Sequence, residues 1–188
     1  EGTIEDITER RRVNEERERL ATMIESSNDA IISLIEGRVS FWNPAAEKLF
    51  GYRSEEILGQ QVNILVPPHL RGEVERNVEL VLRGEQTQDF ETERVRKDGS
   101  LVPVSITVSP LKDVQGRIIG PFAIMRDITE RKRAEETLRR TQFAMDQAVD
   151  AIYWIDPRAN IVYANATASA MLGHSRDELR TMTVHDLN

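Results

Sequence analysis

The side chains able to do covalent or metal chemistry are few. The histidines are His69, His174 and His185, and there is no cysteine. None of the three shares a predicted helix with a His or a carboxylate at the i,i+4 spacing that grips a metal, so they read as surface or turn residues and no metal site is expected. Without cysteine there is no disulfide framework, no thiolate metal site and no thiol nucleophile. The acidic pairs Glu55-Glu56, Glu135-Glu136 and Asp177-Glu178 could suggest acid–base work. They read instead as carboxylates at helix starts, where the helix dipole favours negative charge. No phosphoacceptor His on a helix, no Gly-rich nucleotide box and no cyclase signature is present, so no catalytic residue is assigned and the segment is not expected to be an enzyme.

Charge and hydropathy narrow the class further. The net charge of −7 argues against nonspecific nucleic-acid binding, which needs a basic face. No apolar run approaches the ~18 residues of a membrane span, and no signal peptide stands out. A cytoplasmic segment without direct membrane contact is expected. A longer parent could still be membrane-associated.

The elements that must position any site follow from pattern and turn chemistry. Residues 8–26 read as a charged helix, with Glu15 and Arg19, and Arg12 and Glu16, at i,i+4 spacing. Val13, Leu20 and Ile24 fall at a,d-like places, too narrow a stripe for a globular core and suited to pairing with a second helix. Apolar runs at 30–34 and 39–42 flank Glu36-Gly37-Arg38 and predict a hairpin. Asn43 is placed as the N-cap of a short helix, Pro44 at its first position, and Gly51 at its end. Ser54 to Gly59 frames a second short helix. Residues 73–82 predict a third, with Val74, Val78 and Val81 on one face. Strands are expected at 90–96, 101–108 and 118–126, with Asp98-Gly99 as a hairpin turn. In the middle strand Val102, Val104, Ile106 and Val108 should face the core.

The chain also repeats. Asp6-Ile7-Thr8-Glu9-Arg10 returns as Asp127-Ile128-Thr129-Glu130-Arg131, an offset of 121. Asp29-Ala30-Ile31 returns as Asp150-Ala151-Ile152. Asn43, Gly51 and Glu56 then meet Asn165, Gly173 and Glu178 at an offset of 122. So long a period marks a domain in tandem rather than a solenoid. The expected organisation is the end of a preceding unit and a linker helix at 1–19, a complete domain at 20–126, a linker helix at 127–145, and the first half of a second domain at 146–188. That last segment lacks three strands, so it is expected to be disordered or to complete itself against another chain.

Phe41-Trp42-Asn43-Pro44-Ala45-Ala46, Phe50-Gly51-Tyr52, Glu55-Glu56-Ile57-Leu58-Gly59, Arg96-Lys97-Asp98-Gly99-Ser100 and Met125-Arg126-Asp127-Ile128-Thr129-Glu130-Arg131 together resemble a PAS domain with its C-terminal PAC segment. The resemblance implies an α+β fold: a five-stranded antiparallel sheet of order 2-1-5-4-3, with helices on one face and linker helices flanking it. It implies a sensory, dimerising module of a signalling protein, with a histidine kinase or other effector as output domain in the parent chain. It also places Glu56 opposite Lys97, as an ion pair tying the second helix to the sheet rim.

Some members of that family carry flavin, with an adduct-forming Cys after the Glu-Ile-Leu-Gly motif. Here that segment is Gln60-Gln61-Val62-Asn63-Ile64, which has no thiol. The haem sensors of the family use a His on the third helix. Val74 occupies the matching position, so haem is disfavoured. What remains is an apolar set, Val74, Val78, Val81, Phe90, Ile106, Val108 and Ile124, between the third helix and the sheet. It is a hydrophobic core first, and an unidentified small ligand in it is possible. Asp127 and Thr129 stand between the last strand and the following helix, where either side chain can satisfy an orphan N–H. They are the expected coupling residues. Ala134, Leu138, Thr141 and Met145 continue the stripe beyond them, predicting a parallel homodimer through the linker helices. Three readings therefore stand: a relay scaffold, a haem- or small-molecule-gated sensor, and a regulatory part of a cyclic-dinucleotide enzyme.

Overall fold

The structure, a computed structural model, describes residues 2–187, but not the side chains of residues 2–11, 13 and 14. Val13 of the predicted stripe lies outside the described side chains. The chain divides into two compact units, Glu1–Thr129 and Glu130–Asn188.

The first unit opens with helix α1 (Gly2–Glu25), which starts at residue 2 rather than residue 8 as the charge pattern suggested. Strands β1 (Ala30–Ile35) and β2 (Arg38–Trp42) form the predicted hairpin. Glu36 and Gly37 at its tip both have positive φ, 51° and 74°, the pairing that matches the strands' twist across a two-residue loop. Short helices α2 (Pro44–Phe50) and α3 (Ser54–Ile57) follow, then α4 (Arg71–Leu82). Strands β3 (Phe90–Val95), β4 (Leu101–Lys112) and β5 (Ile118–Asp127) complete an antiparallel sheet of order β2-β1-β5-β4-β3.

One face of that sheet is closed by the helices. Val102, Val104 and Ile106 of β4 are at most 1% exposed, as their alternation required. They pack with Ile32, Trp42, Phe50, Ile57, Leu65 and Val81 in one continuous core. At Gly120 a Cβ would lie 1.9 Å from the Leu34 carbonyl oxygen, so only glycine lets β5 pass β1 there.

The second unit begins with most of α5 (Thr129–Asp146). Glu135 and Glu136 lie inside this helix, not at its start. They pair with Arg131 and Arg140 at i,i+4 spacing, so helix geometry rather than the dipole explains them. Strands β6 (Tyr153–Ile155) and β7 (Ile161–Ala164) pair antiparallel, and helices α6 (Ala166–Leu172) and α7 (Arg176–Leu179) follow. The core here is small: Ile161, Ala164, Ala168 and Leu179.

Candidate functional site

Between α4 and the sheet of the first unit lies an apolar cavity of about 50 Å³. Val74 and Val78 project into it because they sit one helical turn apart on the face of α4 turned to the sheet. Ile106 and Val108 meet them from β4. Ile32, Leu34, Val62, Val66, Asn77, Arg94, Pro121, Ala123 and Met125 complete the wall. Of the residues expected there, Val81 is fully buried in the core beside the cavity, and Phe90 packs on that core from the edge strand. Ile124 is corrected: it is 39% exposed, on the other face of the sheet. Strand side chains alternate, so the inward residues of β5 are its neighbours Ala123 and Met125.

The cavity wall carries one charged group that the sequence reading missed. Arg94 is 4% exposed, and its guanidinium donates to Glu73 Oε1 at 2.8 Å and to the Glu93 carbonyl at 2.8 Å. Glu73 also accepts from the Thr92 hydroxyl at 2.8 Å. A buried guanidinium needs such partners, and a carboxylate at the start of α4 supplies the countercharge. The signal was the position of Arg94 on the inward parity of β3, in phase with Phe90 and Thr92.

The residues here do not fit haem. Among the wall residues Met125 is the one donor an iron could use, and haem sites built on Met pair it with His. Among all described residues no group of three His, Cys, Asp or Glu can hold a metal ion.

Two junctions join the sheet to helices. At the exit, the Asp127 carboxylate accepts the Thr129 N–H at 2.8 Å and faces Arg96 Nη2 at 3.3 Å. Ile128 between them is buried, and its N–H donates to the Pro103 carbonyl. The Thr129 hydroxyl is buried without a partner, so this residue meets Asp127 through its backbone. Nearby, Lys97 Nζ donates to Glu56 Oε1 at 2.6 Å and lies 5.6 Å from the centre of the Tyr52 ring. The hydrogen bond from Lys97, then that from the Arg53 N–H, holds the Glu56 carboxyl below the usual range.

At the entry, Asn43 does more than cap α2. Its Oδ1 accepts from Ala46 and Ile31 N–H, both at 2.9 Å. Its Nδ2 donates to the carbonyls of Asp29 at 3.0 Å and Ile24 at 3.2 Å, the latter in the last turn of α1. Asn165 repeats all four bonds, to Ala168 and Ile152 N–H and to the carbonyls of Asp150 and Met145. The sequence signalled the cap but not the two donor bonds, because those partners lie 14 and 19 residues upstream.

Comparison with known proteins agrees with this architecture. Residues 24–133 match the family profile described as PAS fold, and residues 138–188 match one described as PAS domain. The chain is 29% identical over 148 residues to the oxygen sensor protein DosP of Escherichia coli, covering 77% of this chain and 18% of that protein. It is 33% identical over 117 residues to two-component system protein A of Emericella nidulans, covering 60% of this chain and 17% of that one. The chain thus spans less than a fifth of these relatives. A solved PAS domain from Colwellia psychrerythraea superposes with a TM-score of 0.54 at 27% identity, covering 60% of this chain and 97% of that one.

Proposed function

The chain belongs to the PAS family, and from that premise we propose that it is a dimerising relay within a longer two-component signalling protein. The observation that carries this reading is the Asp127 junction. One carboxylate binds the first N–H of α5 and faces Arg96, beside the rim tether of Glu56 and Lys97. A shift of β5 therefore moves a point fixed to the start of the next helix. Asp127 and Thr129 are the coupling residues: the first through its side chain, the second through its backbone. Leu138 on the α5 stripe and Leu20 on the α1 stripe are more than half exposed. Pairing with the same helices of a second copy covers such side chains. The output is a histidine kinase domain elsewhere in the parent, and the setting is cytoplasmic. Among the described residues no helix is long and apolar enough to cross a membrane.

The test is an insertion series in the parent. One residue added after Arg131 turns the downstream helical stripe by about 100° and should invert or abolish output. If insertions of one, two and four residues all leave output unchanged, α5 is a passive tether and the relay reading fails. A second reading is favoured by the cavity: a small ligand against Val74, Val78, Ile106 and Val108 biases β5 and so gates α5. The cavity alone has room for only a few waters, so such a ligand must extend beyond it.

A further inference from the structure

The internal cavity continues outward into a cleft of about 630 Å³ between α4, the β1–β2 turn and the start of β5. Leu34, Val62, Val74, Val78 and Pro121 line both spaces. That size lies within the range of small-molecule sites, roughly 300–1,000 Å³. Its floor is aliphatic. Its rim carries Glu36 at the hairpin tip and Glu75 and Glu79 one helical turn apart on α4, and no Lys, Arg or His lines it. Among the described residues, none of the three carboxylates makes a side-chain hydrogen bond or an ion pair.

An apolar floor under a rim of one sign discriminates by charge. Low-dielectric walls focus the field of the three carboxylates into the cleft. A carboxylate ligand meets three like charges there, and a neutral hydrocarbon gains from the floor alone. An ammonium group on an alkyl or aryl body satisfies both parts at once. We propose that this cleft binds a small organic cation, its ammonium between Glu36, Glu75 and Glu79 and its apolar end directed past Val74 and Val78 into the cavity. The inference rests on the ligand-gated reading above and names the chemical class of the ligand.

Calorimetric titration of the 188-residue chain with hexylamine, hexanol and hexanoate tests it. Hexylamine should bind about tenfold more tightly than hexanol, and hexanoate more weakly than either. Because the rim is exposed, added salt should erode that preference. A Glu75→Gln/Glu79→Gln chain should lose most of the preference and keep its hexanol affinity, which also shows that it is folded. Val78→Trp should block all three compounds. Equal binding of the three, or a preference that survives the double substitution, overturns the cation assignment and leaves ligand gating standing. Binding of none of them at millimolar concentration overturns both.

Discussion

The two units start from closely related local sequence and reach different degrees of burial. Asn43 and Asn165 make the same four hydrogen bonds. Gly51 and Gly173 end α2 and α6 in the same left-handed conformation, at φ of 79° and 73°. Glu56 and Glu178 each accept a backbone N–H three residues back. Yet β1 is buried along almost its whole length, whereas Tyr153, Trp154 and Ile155 of β6 are all exposed. The first unit has β5 beside β1, with β4 and β3 beyond; the described residues of the second hold two strands. The same capping and turn chemistry therefore recurs in both hairpin-and-helix segments. In the first unit β5 pairs with β1, and β4 with β5, and β1 is buried beneath the helices.

Core truncation should break the comparison most sharply. Phe50 is fully buried, while its counterpart Leu172 is only partly so. Phe50→Ala should cost about 3–5 kcal/mol in urea unfolding, and Leu172→Ala well under half of that. Equal costs would mean that the second unit has a core as good as the first. Next is the buried ion pair of the first unit, Arg94 with Glu73. Glu73→Gln leaves Arg94 uncompensated and should cost about 3 kcal/mol, whereas joint replacement with Arg94→Met should recover much of the loss.

Substitution of the capping asparagine comes next. Asn43→Asp keeps the acceptor that caps α2 and removes the donor to the Ile24 and Asp29 carbonyls, at about 1–3 kcal/mol. Hydrogen exchange should quicken at residues 26–31 while α2 stays protected; uniform quickening would show a general loss of stability instead. In the same experiment β6 and β7 should exchange far faster than β4 and β5. Strong protection of β6 in a monomeric sample of the 188-residue chain would contradict its exposure here.

The smallest effect concerns the paired glutamates. Both carboxyls titrate below their ordinary range, Glu56 chiefly through Lys97 and Glu178 chiefly through the Ser175 N–H. A lowered folded value means that each contributes stability above the ordinary carboxylate range and loses it as pH falls through the lowered value. Salt should raise the Glu56 midpoint and leave Glu178 nearly unmoved, because only the first relies on an ion pair. An NMR titration in low and high salt reads both. A Glu56→Gln/Lys97→Met cycle without coupling would remove the tether from the account.

Much of this was legible in the chain itself. The hairpin at Glu36-Gly37, the cap at Asn43, the parity of Val102 to Val108 and the order of elements follow from residue types with local preferences. The tandem repeat needed only comparison of the sequence with itself. Ile124 shows the limit: a strand one residue out of phase presents the opposite face, and local pattern in a strand with apolar residues on both faces does not fix the phase. Arg94 finds its countercharge only because β3 turns it inward and α4 brings Glu73 to meet it. The donor half of Asn43, the cleft beside Val74 and the crossing at Gly120 likewise depend on groups far apart in sequence. Sequence determined the local conformations because each is fixed by a few neighbouring residues. Only the tertiary structure decided the contacts between them, because those depend on how whole elements pack.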